Sequence, residues 1–187
     1  MCERDSQGLR QALSQFATGV TIVTTSGPAG EPIGVTANSF NSVSLDPPLV
    51  IWSLSAAARS RQSFETQGHF CVHVLSSGQE DLSQRFAVCG ADKFGGLQWV
   101  RGLGSVPMFE EFVARFQCRL TQQFPIGDHI VFVGEVLHFD RRDGRPLVFH
   151  GGRYALAERR MMEELARQLR EAKPYDMDRR KPRESPQ

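Results

Sequence analysis

Gly34-Val35-Thr36-Ala37-Asn38-Ser39-Phe40-Asn41-Ser42-Val43-Ser44-Leu45-Asp46-Pro47-Pro48 decides how this chain is read. It opens as a strand, passes into a run of short polar residues and stops at Asp-Pro-Pro, which cannot continue a helix and favours an extended or turn conformation. Thr36, Asn38, Ser39, Asn41, Ser42 and Ser44 carry short hydroxyl or amide side chains. Such residues leave the backbone accessible and offer donors and acceptors together. That chemistry suits the edge of a planar heterocycle. It suits equally an ordinary polar connection between strands.

Outward from this stretch the pattern is mostly β. Leu9, Leu13 and Phe16 recur at helical spacing and predict a helix over 8–17, ended by Gly19. β-Branched Val20–Thr25 predicts a strand, Ser26–Gly30 a hairpin turn, and Ile33–Phe40 the returning strand. Leu49–Leu54 is nearly continuous apolar, the pattern of a strand buried on both faces. A loop and short helix over 56–68, with Phe64 inward, lead to a strand over Phe70–Leu75. Gln79–Ala87 predicts a helix carrying Leu82 and Phe86. Residues 88–108 are glycine-rich, lack a period and read as a long loop.

Further on, Phe116, Cys118, Leu120 and Phe124 alternate with Arg115, Gln117, Arg119 and Thr121 in a strand over Val113–Phe124. Pro125–Asp128 turns the chain into a long strand, His129–Phe139, and Asp143-Gly144 turns it again into a last strand, Leu147–His150. Many strands joined by short turns, with helices as inserts, predict a mainly β fold closed into an antiparallel barrel, not a doubly wound parallel sheet. The domain spans 1–155. A helix is expected over 156–173, where Ala157, Met161, Leu165 and Leu169 are spaced by four, and a disordered charged tail over 174–187.

Composition narrows the function classes. The 187 residues suit one domain, 40% hydrophobic and 23% charged, and a net charge of +1 gives no electrostatic ground for nucleic acid or a membrane surface. Cys2, Cys71, Cys89 and Cys118 form no CxxC pair, so reduced thiols in a cytoplasm are expected. Met1–Asp5 is polar and carries no apolar signal core. Dinucleotide, Walker, zincin and nucleophile-elbow motifs are missing from the sequence. His69 and His73 stand four apart across a strand with no third ligand nearby, so no metal site is expected.

Ordered motifs supply a resemblance. Phe16-Ala17-Thr18-Gly19-Val20, Thr36-Ala37-Asn38-Ser39-Phe40, Ser42-Val43-Ser44, Asp46-Pro47-Pro48, Arg85-Phe86-Ala87, Asp92-Lys93-Phe94, Gly127-Asp128-His129 and Gly151-Gly152-Arg153-Tyr154 follow one another in this sequence. Together, over roughly residues 8 to 155, they resemble the flavin reductase domain family, the FMN-binding split barrels that supply reduced flavin to two-component monooxygenases. The resemblance implies FMN or FAD bound in oxidised form, NADH or NADPH as hydride donor, a homodimer with flavin sites near its interface, and a separate monooxygenase as partner. It implies a flavin platform at Thr36, Ala37, Asn38, Ser39 and Phe40, with Ser53, Leu54 and Ser55 beside it. Ser60, Arg85 and Lys93 are the phosphate candidates, flanked by Phe86, Ala87 and Phe94, with Ser60 as a helix N-cap and Arg85 as a bidentate guanidinium. His129 and Tyr154 are placed by resemblance at the nicotinamide. Ala58 departs from the family, which often carries a hydroxyl or amide there. No acid–base residue is expected, since the flavin supplies the chemistry and the protein positions it. Two alternatives stay open: an oxidoreductase with tightly held flavin acting on an organic substrate, and a non-catalytic flavin-binding module.

Overall fold

The computed structural model describes residues 6–90 and 92–157. Its elements belong to one compact unit that ends at Ala157. Helix α1 is Ser6–Ser14, and strands β1 (Thr18–Gly19), β2 (Thr21–Ser26), β3 (Pro32–Ala37), β4 (Asn41–Leu45) and β5 (Pro48–Ser55) follow. Helix α2 (Arg61–Thr66), β6 (His69–Val74) and α3 (Glu80–Ala87) come next. The short strands β7 (Trp99–Arg101) and β8 (Pro107–Phe109) precede the long β9 (Ala114–Ile126) and β10 (His129–Arg141). Strands β11 (Leu147–His150) and β12 (Arg153–Leu156) close the described chain.

Seven strands form one antiparallel sheet in the order β3-β2-β6-β9-β10-β5-β4, with β1-β11-β12 as a second sheet and β7-β8 as a lone hairpin. The large sheet curls until β3 stands beside β5. The expected closure is therefore a split, because no ladder joins that seam. A side chain bridges it instead. The Ser39 hydroxyl accepts from the Ser53 N–H at 2.9 Å and donates to the Ser53 carbonyl at 3.1 Å. Both backbone groups of one strand residue point the same way, so a single hydroxyl satisfies an edge that a neighbouring strand would otherwise fill.

Inside the curl lies an aromatic core. Trp52 stacks on Phe132 with ring centroids 4.8 Å apart and meets Phe64 edge-on at 4.8 Å. Val23, Val50, Leu54, Phe70, Val72 and Ile130 fill the space around them. A second core on the outer face of β2 joins Ile22 to Leu75, Phe86, Phe94, Phe109 and Leu147. Strand β2 is thus buried on both sides, and its hydroxyls need internal partners. Thr21 donates to the Ala37 carbonyl at 2.6 Å, Thr24 to Pro107 at 2.6 Å, Thr25 to His69 at 2.8 Å and Ser26 to Ser105 at 2.8 Å.

Several sequence expectations change. The polar run holds a short edge strand, β4, because its backbone pairs with β5. Leu49–Leu54 alternates: Val50, Trp52 and Leu54 are buried, while Leu49, Ile51 and Ser53 are half-buried. The 88–108 loop contains the β7-β8 hairpin, whose Trp99 and Phe109 pack with Phe94. Gln117 is buried despite its polar pattern, its side-chain oxygen accepting the Leu103 N–H at 2.8 Å. Leu147–His150 is not the last strand, since Tyr154 and Ala155 pair back onto Phe149 and Val148. The expected C-terminal helix overlaps β12 at Leu156, and apart from Leu156 and Ala157 that helix and the tail lie outside the described residues. Helix α1 stops at Ser14, and Leu9, Leu13 and Phe16 are exposed.

His73 is fully buried between the two strand layers. Its Nε2 accepts the Phe109 N–H at 3.2 Å, so Nδ1 carries the proton and donates to the Ile22 carbonyl at 3.1 Å. Burial pushes its pKa down to about 3. A folded value below the unfolded one stabilises the protein above about pH 6.5, and that stability is lost as pH falls from 6.5 towards 3. Urea denaturation between pH 6.5 and 4 is expected to show a loss approaching about 1.4 kcal/mol per pH unit. His73→Gln, which keeps one donor and one acceptor without titrating, should flatten that slope; an unchanged slope would exclude His73 as its source.

Candidate active site

The α3–β3 contact builds the main cleft. Gly34 of β3 is buried, and a Cβ there would lie 2.6 Å from Phe86 Cε1 and 3.3 Å from Phe94 Cζ. Only a bare backbone lets α3 approach so closely. Beside this contact opens a cleft of about 620 Å³. Its walls are Ile33–Thr36 from β3, Leu54 and Ala58–Ser60 from the β5–α2 connection, and Phe86–Gly90 with Asp92–Phe94 from α3 and its following loop. A smaller cleft of about 210 Å³ lies beyond Thr36 and Ala87, which line both. Its other walls are Val20, Ala37, Asn38, Ser83, Phe149 and Tyr154.

Hydrogen bonds fix the shared wall. Thr36 Oγ1 donates to the Ser83 carbonyl at 2.6 Å, and the buried Ser83 hydroxyl pairs with the Tyr154 hydroxyl at 2.9 Å. One chain of contacts thus runs from β3 through α3 to β12. Tyr154 is held edge-on to Phe149 with centroids 5.6 Å apart.

The candidates named from sequence divide into groups. Thr36, Leu54, Ser60, Phe86, Ala87, Lys93 and Phe94 line the larger cleft. Thr36, Ala37, Asn38, Ala87 and Tyr154 line the smaller one. Ser39 and Ser53 meet across the seam, and Ser55 pairs in register with His129 on the outward face of β5 and β10. Phe40 packs on Phe116 at the rim of the core, centroids 5.5 Å apart. His129 is therefore not brought to Tyr154's cleft. Its Nδ1 lies 2.7 Å from Asp128 Oδ1, and this pairing lowers the Asp128 pKa. The turn that carries them has Gly127 at φ +60°.

Two phosphate candidates prove to be engaged elsewhere. Arg85 donates to the carbonyls of Asp92 and Gly95 and so pins the loop after α3. Lys93 donates to the Phe86 carbonyl at 2.8 Å and the Gly34 carbonyl at 3.3 Å. Its partial burial lowers its pKa. Ser60 occupies the N-cap position of the six-residue α2 with helical φ and ψ, and makes no side-chain cap bond. Sequence reasoning passed over Arg59, Ser83 and Cys89, all of which line a cleft. Ser83 had a readable signal: it stands three residues before Phe86, on the same helix face. Among the described residues no group of three or more His, Cys, Asp or Glu could hold a metal, and no helix is long and apolar enough to cross a membrane.

A family model for the flavin reductase like domain matches residues 13–157. This chain belongs to that family. It is 47% identical over 150 residues to the FMN reductase (NADH) SmoA of Agrobacterium fabrum, covering 80% of this chain and 85% of that one. It is 37% identical over 146 residues to the reductase component of the flavin-dependent trigonelline monooxygenase of Acinetobacter baylyi, covering 78% of this chain but only 47% of that longer relative. The solved NADH:FAD oxidoreductase SgcE6 of Streptomyces globisporus, in complex with NAD and FAD fragments, superposes with a TM-score of 0.79 at 36% identity, over 86% of this chain and 97% of that one. The split sheet described above is thus that of the flavin reductase fold.

Gly34→Ala tests how far the cleft depends on the α3–β3 contact. The added methyl must displace Phe86 and Phe94, so the variant is expected to lose about 1–3 kcal/mol of stability in denaturant titration. It should also bind flavin more weakly in a fluorescence titration at temperatures where it stays folded.

Proposed function

We propose that the chain is an NAD(P)H-dependent flavin reductase that hands reduced FMN or FAD to a separate monooxygenase. The supporting observation is the pair of clefts that meet at Thr36 and Ala87. Two planar rings can approach one another there. The shared wall offers short side chains and backbone, and the larger cleft has Arg59 and Lys93 on its walls. The residues fit a flavin: a groove, hydroxyl and amide groups at Thr36 and Asn38 for a ring edge, and the Arg59 guanidinium for a phosphate, Lys93 being held by two carbonyls. When both substrates are bound, a hydride passes from the nicotinamide to the flavin, so the nicotinamide leaves oxidised and the flavin leaves reduced by two electrons. The protein's part is to orient the rings and exclude water. Thr36 is held by Ser83, and Ser83 by Tyr154, so the wall between the rings is preorganised. Residues 1–155 are the flavin-handling domain in this reading, and free Cys71, Cys89 and Cys118 suit a cytoplasmic setting.

A homodimer belongs to the same reading. Leu49, Ile51, Val131 and Val133 face away from the core on β5 and β10 and are only half-buried, with Phe124 and Ile126 exposed beside them. An apolar sheet face of this kind favours a partner. Ser53, Ser55 and His129 stand at its end, so a second copy seated there would border the flavin platform.

Steady-state oxidation of NADH and NADPH is expected to require added FMN or FAD and to saturate with it. Protein that purifies with bound flavin and ignores added flavin would instead be an oxidoreductase on an organic substrate. Val131→Glu is expected to give a monomer in sedimentation velocity, with flavin turnover reduced roughly tenfold or more, because a buried charge opposes association. A dimer unchanged by this substitution would remove the β5–β10 face from consideration.

A further inference from the structure

Three cations surround the larger cleft or its loop, and their surroundings differ. Arg85 and Lys93 each donate to two backbone carbonyls. Arg59 is exposed, and among the described residues no hydrogen bond or ion pair holds its guanidinium. Its Nη1 lies 3.7 Å from the position a Cβ would take on Gly90. The side chain therefore reaches from the β5–α2 connection to Gly90, both on the cleft wall. Gly90 has φ +87°, a conformation that disfavours other residues, so no side chain stands between that wall and the guanidinium.

The carboxylates around this cleft do not answer Arg59. Glu31 accepts the Ala29 N–H at 2.9 Å, folded over its own hairpin turn. Asp92 accepts the N–H groups of Phe94 at 3.2 Å and Gly95 at 2.9 Å. A guanidinium with five donors, on the wall of a groove also lined by Phe86 and Phe94 and without a protein acceptor among the described residues, matches a phosphate oxyanion. Ala58 and Ser60, on either side, leave one neighbouring hydroxyl to share that work.

We infer that Arg59 is the residue that selects phosphorylated flavins, closing over the phosphate of FMN or FAD and admitting riboflavin only without that contact. The inference rests on the flavin reductase reading above. It assigns phosphate recognition to Arg59 and leaves Arg85 as a positioning residue for the 92–95 loop. Because Arg59 is exposed, its contribution should weaken as salt rises.

The test compares binding of FMN, FAD and riboflavin by flavin fluorescence to the full chain and to Arg59→Ala, Arg59→Lys and Arg85→Ala. Arg59→Ala is expected to weaken FMN and FAD roughly tenfold to hundredfold and to leave riboflavin within about threefold, the range of a lost charge-assisted hydrogen bond. Arg59→Lys should recover part of that loss, and the FMN preference of the parent should shrink with added salt. Arg85→Ala should lower the thermal midpoint while keeping the ratio of FMN to riboflavin affinity. Equal weakening of all three flavins by Arg59→Ala, or a collapse of the phosphate preference only in Arg85→Ala, would overturn the inference and leave the reductase reading standing. Failure of the parent chain to bind any of the three would overturn both.

Discussion

The contact of Phe86 with the bare backbone at Gly34 is the constraint on which the site depends. It sets how close α3 sits to β3. Phe94 then stacks on Phe109 and meets Phe86 edge-on, so the loop after α3 inherits its position from the same contact. Lys93 ties that loop back to Gly34 and to the end of α3 through two carbonyls. The cleft is the space left between this aromatic wall and the β5–α2 connection. A larger residue at Gly34 would push on Phe86 and Phe94, which line the groove, and so change its width.

The split in the barrel serves the same end. A continuous β3–β5 ladder would cover the edge of β5 where Ser53 now meets Ser39. Bridging by one hydroxyl leaves Asn38 and Ser39 exposed at the rim while still satisfying the backbone of Ser53. Strand β2 anchors the opposite side. Its buried hydroxyls bind carbonyls on β3, β6, β8 and the turn before β8, so β3, which lines the cleft, shares one polar frame with the strands between the two apolar cores. Such a frame is costly if any member goes unpaired, which favours a single arrangement over a set of near-equal ones.

Much of this was legible in the sequence. β-Branched runs separated by glycine turns announced β2, β3, β6 and β10, since strand period and turn chemistry act over a few residues. Phe64 was placed on an inner face, and Leu82 and Phe86 on one helix, because helix period is equally local. What misled was also local. The Ser/Asn run hid β4, whose pairing depends on β5 rather than on its own propensity. The glycines of 88–108 hid a hairpin held by aromatic packing. The apolar stripe Leu9, Leu13 and Phe16 marked a helix and not a core, because periodicity shows a face without showing what covers it.

The sequence by itself determined the mainly β architecture, the family motifs and the residue types available to the site. The tertiary structure alone decided which of them meet. Thr36 finds Ser83 across 47 positions and Ser83 finds Tyr154 across 71, distances at which no local rule operates. It also decided which cation lines the cleft without a protein acceptor among the described residues. Arg59, Arg85 and Lys93 look alike as letters, but a charge is available to a ligand only when no carbonyl already holds it. That follows from the path of the backbone around each side chain and not from its neighbours in sequence.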